Sequence, residues 1–251
     1  MEADSRPLDA DVNRPPFAKP TWPLKPVYFI SGLGADERVF DRLNIDGYCP
    51  IHVRWLKPHP GERLADYAKR LKAQITDPEP VLVGLSFGGL VAIELAKQVS
   101  SRQVILISSA KSSREIPAYF KLFRFFPIHR ILPFKSLLWT VQWLVDWLFS
   151  LQELNEKRLL QTILTDTDPV FLKWALHRVV VWRNQQVPEG VLHLHGRRDR
   201  VFPARWVQAD VEIDGGHLMV MNRAPVVSRL IKESLAQSVS QPAPSRDQLH
   251  P

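Results

Sequence analysis

Ser86 lies in "GLSFGG" (84–89), between the apolar run "PVLVGL" (80–85) and a helical pattern that starts at Phe87. A serine hydroxyl is a poor nucleophile near neutral pH unless a base takes its proton and an acid orients that base. The pattern Gly84-x-Ser86-x-Gly88 fits a sharp strand-to-helix turn that carries a nucleophile. In such a turn the positions two before and two after the serine approach each other and the neighbouring backbone, so a side chain there would clash. The first turn of the following helix puts unpaired N–H groups and a positive dipole end behind the serine. His217, in "EIDGGHLMV", is the candidate base: it follows a short strand and a Gly-Gly turn and precedes the last helix. Asp199, in "VLHLHGRRDRVFP", is the candidate acid. Asp210 and Asp214 compete for that role, and Asp214, three residues before His217, reads better as a turn former.

The elements that must position these groups alternate in type. Short apolar runs occur at 26–31, 50–56, 80–86, 102–109, 190–196 and 209–216. Helical spacing appears over 61–75 (Leu64, Tyr67, Ala68, Leu71, Ile75), 87–99 and 224–237. Strands alternating with helices predict an α/β fold, a mostly parallel sheet with helices on both faces. Active sites in open parallel sheets sit at the carboxyl ends of the strands, where Ser86, Asp199 and His217 all fall. The piece from Lys111 to Pro188 breaks the rhythm, with "VVVW" (179–182) as its one buried-strand signal. It is rich in aromatics: Tyr119, Phe120, Phe123, Phe125, Phe126, Phe134 and the four-residue series Trp139, Trp143, Trp147. A helical insertion whose small core these aromatics form is the simplest account.

Three motifs in order, "GLSFGG", "HGRRDRVFP" and "GGHLMV", resemble the α/β-hydrolase fold superfamily over residues 27–108 and 190–237. The resemblance implies a catalytic Ser86, Asp199 and His217, with Gly84 and Gly88 shaping the nucleophile elbow. "ISGLGADERVF" (30–40) is similar to the family's oxyanion loop, which implies an oxyanion hole from the backbone N–H groups of Leu33 and Phe87. Ser31 departs from the family pattern, in which His often precedes the glycine. The resemblance also implies a helical cap. The resulting division is an N-terminal arm (1–24), a hydrolase core (25–110 and 189–237), a cap (111–188) and a C-terminal tail (238–251). The expected activity is hydrolysis of an ester-like bond of a small, partly apolar substrate through an acyl-enzyme. Carbon–carbon hydrolysis, acyl transfer and lyase chemistry on the same residues remain open, as does a small-molecule receptor on the same scaffold.

Composition bounds the rest. At 251 residues, 45% apolar and 24% charged, the chain suits one sizeable domain. The lone Cys49 cannot form an internal disulfide and reads as a small core residue. The first residues are charged and proline-rich, without the apolar core of a signal peptide, so the cytoplasm is the expected location. The most apolar window, 137–151, contains Asp146 and is shorter than the roughly 18–20 residues of a membrane span. The net charge is +7, and 111–135 holds Lys111, Arg114, Lys121, Arg124, Arg130 and Lys135 against Glu115 alone. That segment could attract an anionic substrate or membrane surface. No nucleic-acid motif accompanies the charge. His193 and His195 share one face of a predicted strand and lack the further ligands of a metal site, so neither metal nor cofactor is expected. His129 and His177 have no partner signal, and Asp36 reads as the cap of the turn that follows it. Nothing in the sequence fixes the oligomeric state.

Overall fold

The structure, a computed structural model, describes residues 24–122, 142–151 and 153–240. Among the described residues, six strands form one sheet: β1 (Lys25–Ile30), β2 (Tyr48–His52), β3 (Val81–Leu85), β4 (Gln103–Ile107), β5 (Val191–Gly196) and β6 (Val211–Ile213). Their order is β2-β1-β3-β4-β5-β6, and every neighbouring pair is parallel. The α-helices of the described residues are α1 (Leu64–Leu71), α2 (Phe87–Ala96), α3 (Ala118–Leu122), α4 (Gln142–Leu148), α5 (Leu154–Asp166), α6 (Pro169–Val181), α7 (Met219–Asn222) and α8 (Ala224–Ser240).

The strands read as continuous apolar runs because both faces are covered. Val27, Phe29, Val83, Ile105 and Ile107 pack with α8 on one side, while Tyr28, Ile30, Leu82, Val104 and Leu106 pack with α1 and α2 on the other. Helix α2 is buried almost all round, from Phe87 to Leu95. The chain runs from β1 outward to β2 and then returns past β1 to β3. The loops after β1 and β3 therefore leave the sheet in opposite directions, and the crevice between them opens at the carboxyl ends of the strands.

Several sequence expectations change. "VVVW" ends α6 instead of forming a strand. Asp168 accepts the Val170 N–H at the start of that helix, Pro169 occupies its first turn, and Phe171, Leu172, Ala175, Val179 and Val180 lie buried at helical spacing. Capping and periodicity outweigh the branched side chains there. Cys49 is exposed, because β2 is an edge strand and this position faces outward. Trp143 and Trp147 are 70% and 52% exposed, so they are not the core of the insertion. Its buried contacts come from Val145, Leu160, Ile163, Phe171 and Val179, which join the two clusters lining the sheet. The last helix continues to Ser240. Arg124, His129, Arg130, Lys135, Phe123, Phe125, Phe126, Phe134 and Trp139 lie outside the described residues. Among the described residues, no helix is long and apolar enough to cross a membrane.

Candidate active site

Ser86 follows β3 directly and adopts φ 52°, ψ −118°, a left-handed backbone that non-glycine residues rarely take. The strain is held by its surroundings. Its N–H donates to Ile107 O at 2.9 Å, and its carbonyl accepts from the Gly89 N–H at 2.9 Å and the Ser109 hydroxyl at 2.6 Å. The elbow glycines have no room for a side chain. A Cβ on Gly84 would lie 2.5 Å from Gly88 O, and one on Gly88 would lie 2.2 Å from both Ile30 O and Ser31 O.

The structure brings Ser86, His217 and Asp199 together from 131 and 18 residues apart along the chain. His217 Nδ1 is 2.8 Å from Asp199 Oδ2, and Nε2 is 2.8 Å from Ser86 Oγ. In the tautomer that suits both contacts, Nδ1–H donates to the Asp199 carboxyl and Nε2 accepts from the serine hydroxyl. Asp199 and His217 are 3% and 1% exposed. The other Asp199 oxygen accepts the N–H groups of Val201 and Phe202, each at 2.8 Å, which fixes the carboxylate in its turn. Phe149 meets the His217 ring edge-on at 5.3 Å, and Phe202 lies at 6.0 Å from it.

Neither competing aspartate reaches the histidine. Asp210 accepts the His193 N–H and pairs with Lys111, while the largely exposed Asp214 pairs with Arg198. His195 lies behind Asp199, with Nε2 2.7 Å from Phe202 O and 3.6 Å from Asp199 Oδ2. His193 sits edge-on to His195 at 5.2 Å, and burial holds both imidazoles below the usual histidine range. Among the described residues, no cluster of three or more His, Cys, Asp or Glu side chains is placed to hold a metal ion.

The loop after β1 abuts the serine: a Cβ on Gly32 would sit 3.4 Å from Ser86 Cβ. Ser31, where the family pattern often has His, instead donates its hydroxyl to Ala35 O at 2.8 Å and so closes the loop on itself. Asp36 does cap the following turn, accepting the Arg38 N–H at 3.1 Å. Burial works to raise its carboxyl, but the hydrogen bonds and charge of Arg38 outweigh it and hold its pKa below the ordinary value. Arg38 also pairs with Asp166 of α5, tying this loop to the insertion. Next to Ser86, the Phe87 ring packs among Trp55, Phe171 and Trp174 with centroids 5.6–6.3 Å away, which seats α6 beside the elbow. Sequence reasoning missed Ser109, Phe149 and Phe202. The serine pair closing "RQVILISS" was the available hint for the first, and nothing local marks the other two.

The comparisons agree with this architecture. Among solved structures, the chain is similar to a thermophilic esterase from Thermogutta terrifontis (18% identity, TM-score 0.68, 85% of this chain and 90% of that one). It is similar to the enol-lactonase from Burkholderia xenovorans (14%, 0.65, 87% and 94%) and to an esterase from Exiguobacterium antarcticum (16%, 0.62, 86% and 92%). At these identities the likeness is one of fold. No curated protein matches the sequence. The model of the alpha/beta hydrolase family matches residues 16–229, most of the chain. With that match, the parallel sheet and the strained serine at the end of β3, the chain belongs to the alpha/beta hydrolase family.

Proposed function

We propose that the protein is a serine hydrolase of carboxylic esters, with Ser86, His217 and Asp199 as its catalytic triad. The observation that carries this reading is the unbroken row Asp199–His217–Ser86, with both links at 2.8 Å and the serine on a strained elbow. Ser86 Oγ attacks the ester carbonyl carbon while His217 Nε2 takes the hydroxyl proton. The carbonyl electron pair moves onto oxygen, and the N–H groups of Leu33 and Phe87 receive that oxyanion, each donor typically lowering the barrier by ~3–4 kcal/mol. Among the described residues, neither N–H meets another acceptor. Collapse of the intermediate expels the alcohol, which leaves with the proton from Nε2, and the acyl group stays on Ser86. Water then attacks the acyl-enzyme by the same route, with His217 as base. Asp199 keeps Nδ1 protonated and stabilises the imidazolium at both stages.

Residues 111–188 are read as the cap over this site. Their support is the placement of α5 and α6 against the two loops that carry it: Gly34 lies against Leu164 and Leu172, and Phe87 against Phe171 and Trp174. The test is a fluorophosphonate probe with peptide mapping. The adduct is expected on the peptide spanning 81–97, and ester turnover is expected to vanish in Ser86→Ala. Full turnover by Ser86→Ala would end the serine-hydrolase reading.

A further inference from the structure

The geometry points to a binding site for the anionic end of an ester substrate, in the hollow beside the turn that carries His217. This assignment rests on the ester-hydrolase reading and adds the class of ester.

The hollow has a volume of about 460 Å³ and is lined by Trp143 and Trp147 of α4, by Arg198, Arg200 and Arg223, and by Gly215 and Gly216. Its position against the catalytic turn follows from local sterics. Ser150, with φ +57°, fits against Gly216 so closely that a Cβ there would lie 2.3 Å from Ser150 Cβ, and Ser150 Oγ donates to Arg198 O at 3.2 Å. Gly216 precedes His217, and Phe149, two residues after Trp147, touches the His217 ring. The hollow thus adjoins the turn that carries His217, since Gly215 and Gly216 line it and the histidine is the next residue.

The charge of the lining is not balanced. Arg198 pairs with Asp214 at 3.0 Å and Lys157 with Asp146 at 3.6 Å, which leaves those two cations matched. Arg200 donates to Trp147 O at 2.7 Å, and Arg223 donates to the carbonyls of Asp214 and Asn222. Among the described residues, neither Arg200 nor Arg223 has a carboxylate within 4.0 Å. Carbonyls orient a guanidinium without neutralising it, so two positive charges face the hollow with donors to spare. The Arg200 guanidinium also lies over the Trp147 ring at 4.5 Å, which holds it flat against an aromatic wall.

Two indoles on one helical face, 70% and 52% exposed, add an apolar surface next to these charges. A ligand with an apolar body and a terminal carboxylate or phosphate satisfies both: the body covers the indoles, and the anion takes bidentate hydrogen bonds from guanidinium forks. A neutral ester of the same length covers the indoles and leaves the two charges unmatched.

The test uses esters of graded length that end in a carboxylate, on either half of the molecule, each beside its carboxamide counterpart. At ~10 mM salt one length is expected to favour the carboxylate by about tenfold in kcat/KM, carried by KM, and the preference should shrink at ~150 mM salt as screening tightens. Arg200→Gln and Arg223→Gln, singly and together, should bring the carboxylate-to-carboxamide ratio towards one. The ratio corrects for any general loss of fold or chemistry. Equal kcat/KM for both esters, or a preference that survives the double variant, would overturn the assignment while leaving the hydrolase reading intact. Binding is read separately on Ser86→Ala protein, where the carboxylate ester should quench tryptophan emission and Trp147→Phe should remove most of that signal. If no ester is turned over, this titration alone decides: quenching lost in Arg200→Gln/Arg223→Gln supports the site, and no quenching ends it. Sedimentation with phosphatidylserine vesicles that needs Trp143 and Trp147, without quenching by the soluble carboxylate, would also end it and make a lipid surface the occupant.

Discussion

Ser86 pays for its position with backbone strain of roughly 1–3 kcal/mol, and the groups that hold it are as informative as the hydroxyl itself. Ser109 donates to the Ser86 carbonyl at 2.6 Å from the neighbouring strand end, fully buried. Ser109→Ala should cost about 1–2 kcal/mol in urea unfolding and lower kcat about tenfold, with KM little changed, because the elbow loosens while the substrate contacts stay. Gly88→Ala is the harsher change. Its Cβ would meet the carbonyl oxygens of Ile30 and Ser31 at 2.2 Å, and backbone cannot step aside as a side-chain tip can. A loss of at least ~3 kcal/mol in the same assay is expected. The glycine pattern was legible in the sequence because its cause is local crowding. Ser109 was not, because its contact spans 23 residues and exists only once β3 and β4 lie side by side.

At the scale of elements, α5 and α6 meet the site in two different ways. Phe171 is 5% exposed and packs on Trp55, Tyr67, Phe87 and Trp174. Phe171→Ala should cost about 3–5 kcal/mol in chemical denaturation. The ion pair Arg38–Asp166 joins the loop after β1 to α5, but Asp166 is 56% exposed in it. Asp166→Asn should cost less than about 1 kcal/mol, since exposed pairs gain little over water. If the two variants fall by the same amount, aromatic packing is not what seats α6. The sequence marked the insertion by its break in rhythm. It did not separate the tryptophans that face solvent from the aromatics that pack on the core, because a helical repeat defines a face without saying what covers it.

For the molecule as a whole, β5 carries a titratable burden. His193 and His195 are fully buried, and burial is the main cause that lowers both pKa values, with Asp199 partly opposing it for His195. In the unfolded chain each titrates near 6.5. Below that pH the unfolded state takes up protons that the native state refuses, so the unfolding free energy falls as the solution is acidified. Between pH 7 and 5.5 the unfolding free energy should therefore fall, seen as a drop in urea midpoints across that range. His193→Phe should make this pH dependence shallower, and an unchanged slope would mean that other groups dominate the acid response.

The sequence by itself determined the alternation of strands and helices, the elbow with its two glycines, and three motifs whose order placed Ser86, Asp199 and His217 at strand ends. These are readable because burial on both faces, crowding in a tight turn and chain order all leave local marks. Only the tertiary structure decided which aspartate faces the histidine. Asp199, Asp210 and Asp214 lie in similar loops, and the register of β5 and β6 sends just one of them to His217 Nδ1. It also decided that the Leu33 loop meets Ser86, through the reversal of strand order at β1 and β3. The same level set two unmatched guanidiniums beside exposed indoles, an arrangement built from α4 and the loops after β5 and β6 that no single stretch of sequence contains.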